Sequence, residues 1–329
     1  MVHFSNPYRA RPYLLDRGTA PAFWLVRTLW LPMATGVQTG NRLALIDQLM
    51  PTGLGPPAHS HPMDEGFYVL EGSIRFIAAG QSRTVGAGGF VHLPRTTEHT
   101  FVVESGSARV LNFYTPAGFE MILMSVAKLA LERRSPTPEE APMPPPEQVL
   151  ILSRLFGMEK VDLMPFIGKP TEDVMVTAPS AAATTPVHIA TTGTAPVFHA
   201  FGLTWRRLAG SGDTAGTYDL FELEMPAGAE FGAWMHGQDQ AFYVLEGQAD
   251  LLLDDQVAGA GAGTFAFVPA GTITAVRAGT GGARLLMFHL PGGFDRAVEH
   301  AADASGTDAA LRTCLDTLGT RAVAAPGGW

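Results

Sequence analysis

Apolar residues along this chain recur in short runs, not in long helical stripes. Residues 43–46, 67–70, 73–77, 89–93, 100–103 and 109–114 are apolar or β-branched and are separated by Gly, Pro, Asp or Ser. Runs of that length and spacing predict the strands of a sandwich or barrel. No strand–helix alternation appears, which argues against a Rossmann or TIM-barrel arrangement. Helical periodicity is confined to three places: a helix within 116–131, an amphipathic helix over 147–160 with Val149, Leu150, Leu152, Leu155 and Phe156 apolar, and a tail helix over 294–320. Residues 135–147 (SPTPEEAPMPPPE) form a Pro-rich connector, expected to be extended and stiff.

The pattern occurs twice. Residues 18–119 match 193–294 at a constant offset of 175 without a gap. Phe67-Tyr68-Val69-Leu70-Glu71-Gly72 returns as Phe242-Tyr243-Val244-Leu245-Glu246-Gly247, and Gly86-Ala87-Gly88 returns as Gly261-Ala262-Gly263. A repeat of about 100 residues is one ordinary domain, so duplication of a domain is the economical reading. The expected partition is an N-terminal barrel over 1–131, a Pro-rich linker with one helix over 132–185, a C-terminal barrel over 186–300, and a C-terminal helix and tail over 301–329. The fold class is all-β with a few peripheral helices.

The first repeat carries Gly53-x5-His59-x-His61-x3-Glu65-x6-Gly72, followed by Gly88-x5-Pro94-x4-His99. Residues two apart on a strand share a face, so His59 and His61 should aim both imidazoles inward. A turn through Pro62-Met63-Asp64 brings Glu65 back from the adjacent strand, and His99 closes the site from a later one. Imidazole nitrogen and carboxylate oxygen suit one divalent first-row ion (Fe, Mn, Ni, Co or Cu). Three His and one Glu leave one or two coordination positions open for a reactant on a five- or six-coordinate ion. Phe67 and Val69 share parity with Glu65, and Phe101 and Val103 with His99, so these four are expected to line a substrate pocket or to fill the barrel. Alternation turns Asp64 to the other face, where it is expected to be solvated.

Composition narrows the partners. The formal charge is −9 with no Lys/Arg run, which argues against nucleic acid or an anionic membrane surface. The longest apolar stretch, around 121–131, is interrupted by Lys128 and too short to span a bilayer. One cysteine, Cys314, excludes an internal disulfide and zinc-thiolate sites. With no signal-like apolar run near the start, a cytoplasmic location is expected.

The segments PPAHSHPMDEGFYVLEG (56–72), GGFVHLPRTTEHTF (88–101) and NFYTPAGFE (112–120) resemble the two motifs of the cupin superfamily. The whole chain resembles a bicupin, most like the bacterial quercetin 2,3-dioxygenase-like proteins. The resemblance covers roughly residues 14–300. It implies two tandem jelly-roll (double-stranded β-helix) barrels, a metal held by His59, His61, Glu65 and His99, and a homodimer. It also implies oxidative cleavage of a flavonol with O2 and release of carbon monoxide. In that reaction Glu65 takes the proton of the substrate hydroxyl. Two positions depart from the motif: Thr96 stands where Gly is usual, and Val103 where Asn is frequent, which puts the loop shape in question.

In the second repeat His59 becomes Trp234, His61 is kept as His236, Glu65 becomes Gln240 and His99 becomes Thr274. One imidazole and an amide do not hold a divalent ion tightly. This barrel is read as a scaffold and dimer partner, or else as one whose Trp234 and His236 line a metal-free organic pocket. The alternatives to a flavonol dioxygenase are another metal-dependent cupin enzyme (an isomerase, decarboxylase or tailoring oxygenase) and a non-catalytic small-molecule binder.

Overall fold

The computed structural model describes residues 10–155, 157–158, 185–303 and 308–325. Of these, Ala20–Val37 with Asn41–Gly193 form one compact unit, and the remainder form a second.

In the first unit an eight-stranded antiparallel sheet runs in the order Lys128–Leu129, Phe23–Leu25, Thr28–Ala34, Ala44–Pro51, Ser107–Thr115, Asp64–Glu71, Phe90–Leu93, His188–Ala190. A three-stranded sheet is ordered Gln81–Gly86, Ser73–Ala78, His99–Val103. Each run expected from the sequence falls on one of these strands. Period-2 patterning sets the faces: in Ser73–Ala78, Ile74, Phe76 and Ala78 are buried while Ser73, Arg75 and Ile77 are less so. Side chains from both sheets, including Val69, Ile74, Phe76, Val91, Val103 and Val110, meet in one core. A second core joins Ile46, Met63, Tyr114, Phe119 and Ile122.

The second unit repeats the arrangement with longer strands. Asp239–Leu253 and Ile273–Leu290 run continuously where the first unit breaks at Gly72 and after Val103. The backbone is nonetheless alike at the break: Gly72 has φ +79 and Gly247 φ +76. A Cβ at either would sit 2.2 Å from a carbonyl oxygen, Ser107 O or Gly282 O, so both kinks require glycine.

Strand membership departs from the expected linear partition. Tyr13–Asp16 pairs with Thr264–Val268 in the second unit, and its repeat counterpart His188–Ala190 pairs with Phe90–Leu93 in the first. The strand just ahead of each repeat joins the sheet of the other repeat. Boundaries drawn at 1–131 and 186–300 could not reveal this, because strand pairing is non-local.

The helices are shorter than their sequence patterns. Phe119–Val126 occupies part of 116–131 and is followed by the strand Lys128–Leu129. Glu120 anchors its start by accepting Gly118 N–H at 2.6 Å and Gly36 N–H at 2.8 Å. The helix expected over 147–160 is seen as Pro146–Leu155; Phe156 and residues from 159 onward lie outside the described residues. The tail pattern resolves into two helices, Phe294–Ala302 and Asp308–Thr317. No helix among the described residues is long and apolar enough to cross a membrane.

Candidate metal centre

His59, His61 and His99 come together in the first unit, buried, with one nitrogen of each within 4.8 Å of the others. His99 begins the strand His99–Val103, but His59 and His61 are not on a regular strand. His59 makes only an isolated bridge to His99. Pro56 and Pro57 just precede it and have no N–H to extend a ladder.

Each imidazole is oriented by a backbone carbonyl two residues away. Nδ1 lies 2.9 Å from Pro57 O for His59, 3.0 Å from Met63 O for His61 and 2.8 Å from Thr97 O for His99. A carbonyl only accepts, so each Nδ1 must donate and each Nε2 is left with its lone pair. Glu65 adds a fourth acceptor: its Oε2 lies 3.2 Å from His61 Nε2 and 2.9 Å from His99 Nε2. His99 Nε2 nonetheless has no hydrogen bond of acceptable alignment. Acceptors facing one another in a buried space repel unless a cation lies between them. The donor set therefore fits a divalent first-row ion, with three neutral imidazoles whose tautomers are already fixed.

The electrostatics agree. Burial, then the neighbouring His99 and His61, push the His59 imidazole down to about 3, so it is a neutral donor near neutral pH. Burial opposes ionisation of Glu65, but the close approach of His61 and His99 to its Oε2 outweighs burial and holds the carboxyl well below its usual range. Its other oxygen, Oε1, accepts from Asn112 Nδ2 at 2.8 Å. The buried Tyr114 hydroxyl is hydrogen-bonded to the same carboxylate.

The turn before His99 is pinned to the ligand segment. Thr96 N–H donates to His61 O at 2.8 Å, and Thr96 takes the left-handed backbone with φ +64. Its repeat counterpart is Gly271, at φ +84, whose N–H donates to His236 O at 2.8 Å. The substitution of Thr for Gly thus leaves the loop shape unchanged and places strain in it. Asp64, expected to be solvated, is instead 3% exposed. Its Oδ1 accepts from Arg95 N at 2.8 Å and Nε at 3.1 Å, and Oδ2 from Nη2 at 2.7 Å. Alternation gave the correct face, but that face is covered by the turn it holds. Burial works against the Asp64 charge, and Arg95 overrides it and keeps the carboxyl low.

A cavity of about 140 Å³ opens onto His59 and Glu65. Its wall includes Leu25, Trp30, Met50, Leu54, Phe101 and Phe119, with Gln48, Asn112 and Tyr114 on the polar side. Met143, Pro144, Leu152 and Met158 of the segment after the barrel also line it. Of the four pocket residues expected from parity, Phe101 is at the wall. Phe67, Val69 and Val103 lie in the barrel core behind it, Phe67 with its ring 5.2 Å from that of Phe101. Parity fixes a face, not a depth: each step of two residues moves about 6.6 Å along the strand. Gln48, Asn112 and Tyr114 were missed by sequence reasoning, although Gln48 and Asn112 are conspicuous as polar residues within apolar runs.

The family model described as "Cupin domain" matches residues 46–114 and again 221–289, ranges set apart by the same offset as the internal repeat. The chain is a bicupin. A curated relative, quercetin 2,3-dioxygenase of Bacillus subtilis (strain 168), is 23% identical over 295 residues, covering 88% of this chain and 86% of the relative. Solved structures with the same fold include an oxalate decarboxylase–formate complex from Lactobacillus farciminis (TM-score 0.60, 14% identity, 84% of this chain and 86% of that one). Bacillus subtilis oxalate decarboxylase at pH 4.6 is another (TM-score 0.59, 14% identity, 86% and 77%).

In the second cupin domain aromatic rings stand at positions that line the cavity in the first. At the repeat positions of Val26, Pro56 and His59 stand Phe201, Phe231 and Trp234. Their rings pack at 5.7 to 5.9 Å from one another. His236 is buried, as a core histidine should be, but only its Nδ1 has a partner, Thr320 Oγ1 at 3.3 Å; its Nε2 has none. His289, at the counterpart of Tyr114, lies 3.2 Å through its Nε2 from Gln240 Nε2.

Proposed function

We propose that the first cupin domain is the active site of a quercetinase-like dioxygenase. It would cleave a flavonol or similar enolisable aromatic compound with O2 at a metal held by His59, His61, Glu65 and His99. The observation that carries this reading is the apolar cavity ending on the imidazole–carboxylate cluster. Among the described residues its wall has no Lys or Arg. A small dianion such as oxalate would find no cationic side chain there, whereas an aromatic ring finds Trp30, Phe101 and Phe119. A volume of about 140 Å³ holds about one benzene ring, so the rest of a larger substrate would extend past Met143, Leu152 and Met158.

In this reading a bound ion supplies Lewis acidity and an electron route between substrate and O2. Glu65, kept ionised by its imidazole neighbours, takes the proton of the substrate hydroxyl as general base. Tyr114 holds the carboxylate in place during the transfer, and the apolar wall excludes water from the enolate. The enzyme would work in the cytoplasm as a homodimer, with the second cupin domain as scaffold.

The test is loading with iron, manganese, cobalt, nickel or copper in turn, followed by oxygen uptake and carbon monoxide detection with quercetin. Uptake with carbon monoxide release is expected. Turnover without O2 would replace this reading with an isomerase or lyase, and no turnover of any enolisable aromatic would leave a binding protein.

A further inference from the structure

Resting on the metal-centre reading, we infer that Asn112 and Gln48 are positioning residues that fix how Glu65 meets the ion. They hold one carboxylate oxygen away so that only the other is offered.

Asn112 lies opposite Phe67 on the strand Ser107–Thr115, its side chain buried. Nδ2 donates to Glu65 Oε1 at 2.8 Å and to Gly66 O at 3.3 Å. Oδ1 accepts from Gln48 Nε2 at 2.9 Å. The orientation of the amide is forced, because an ionised carboxylate cannot donate. Gln48, itself 1% exposed, then satisfies the oxygen left over. With Oε1 occupied, Oε2 alone faces His61 Nε2 and His99 Nε2. Glu65 is thereby presented through a single oxygen and cannot swing to chelate with both.

The internal duplication supplies a control. In the second cupin domain the Glu65 position is Gln240, with no charge to orient, and there Gln48 and Asn112 are replaced by Leu223 and Met287. Both replacements are fully buried in the core. A buried amide pair is therefore not demanded by the barrel. It occurs where a carboxylate must be held and is absent where none remains. Leu and Met occupy these positions in the same barrel, so the exchange keeps the volume of the pair; its cost to folding is that Glu65 Oε1 and Gly66 O lose the Asn112 donor.

The test compares the wild type with the full-length double variant Gln48→Leu/Asn112→Met, which installs the second domain's pair. Each is stripped of metal and titrated with Co2+. The readouts are the dissociation constant and the visible absorption spectrum of the bound ion, which reports coordination number and geometry. Loss of an orienting hydrogen bond to a ligand costs about 10- to 100-fold in metal affinity. The double variant should bind Co2+ at least tenfold more weakly and with an altered spectrum, while its metal-free melting curve stays cooperative. If the double variant does not fold, Gln48→Met measured in the same way decides, with a smaller loss in the same direction. Wild-type affinity and spectrum in the folded variant overturn the inference and leave the metal centre standing. A wild type that takes up no Co2+ or other first-row ion overturns the metal centre itself, and this inference with it.

Discussion

His59 and His99 face each other across a pair of backbone hydrogen bonds, His59 N–H to His99 O at 3.0 Å and His99 N–H to His59 O at 2.9 Å. Their rings stand 4.5 Å apart. The register of these two side chains is thus made by the main chain and does not depend on the imidazoles. His99→Ala should keep the barrel folded and lower the metal content of the purified protein at least tenfold. His61→Ala should do the same. Each variant leaves a cavity and frees the carbonyl that its Nδ1 bonded, so the metal-free protein should melt somewhat lower but still cooperatively. Elemental analysis alongside a thermal melt checks both, and unchanged metal content in either variant would refute the ligand set.

His236→Ala tests the opposite expectation in the second domain. Of the residues standing at the ligand positions only His236 is an imidazole, and Trp234 is packed with Phe201 and Phe231. Metal should remain at about one ion per chain. A fall in stoichiometry would show that the second domain holds an ion through His236 and His289.

The strands, the duplication and the convergence of His59, His61 and His99 were legible because they rest on short-range periodicity and fixed spacing. What stayed hidden depends on pairing across the fold. The pairing of Tyr13–Asp16 and His188–Ala190 with strands of the other repeat leaves no local signal. Parity put Asp64 on the correct face without showing that Arg95 covers it. Asn112 and Gln48 lie 64 residues apart and become meaningful only once their strands are known to pair. The repeat offered a route to them: the Leu223 and Met287 counterparts mark polar positions that go apolar when the ligands disappear.

Phe101 is the aromatic side chain at the cavity wall that reaches back into the core, its ring within 5.9 Å of Phe67 and Phe76. Phe101→Ala should enlarge the cavity on the side away from the ligands. Binding of an aromatic ligand should weaken by roughly 10- to 150-fold, as loss of about 1.5–3 kcal/mol of apolar burial implies, while metal content stays the same. Calorimetric titration with quercetin on metal-loaded protein measures it. Unaltered affinity would remove Phe101 from the pocket.

Thr96 is β-branched, left-handed at φ +64, and its buried Oγ1 has no hydrogen-bond partner. Such a backbone costs about 1–3 kcal/mol in a non-glycine residue. Gly271 takes the same turn in the second domain without that strain. Thr96→Gly should therefore stabilise the protein despite the added freedom of the unfolded chain, raising the melting temperature by roughly 2–6 °C. A lower melting temperature would mean that the Thr96 side chain contributes packing that outweighs the strain.

Asp219 gives the pH test. Burial, then the charge of Asp295, pushes its carboxyl up to about 8, against about 3.9 in an unfolded chain. Between those values the folded protein keeps a proton that the unfolded chain has released. The stability contribution of the protonated group is full below the unfolded value and is lost as pH rises through the folded one. Asp219→Asn keeps an acceptor for Gly293 N–H, now at 2.8 Å, and Asp295 N–H, at 3.0 Å, and cannot ionise. His59 and His236, both pushed down to about 3 chiefly by burial, destabilise the fold in the other direction, as pH falls below about 6.5. They are common to both proteins and cancel in the comparison. The melting temperatures of wild type and variant should be close at about pH 4–5, and the variant should gain steadily up to about pH 8. Parallel melting curves across that window would show that Asp219 is already ionised in the folded state.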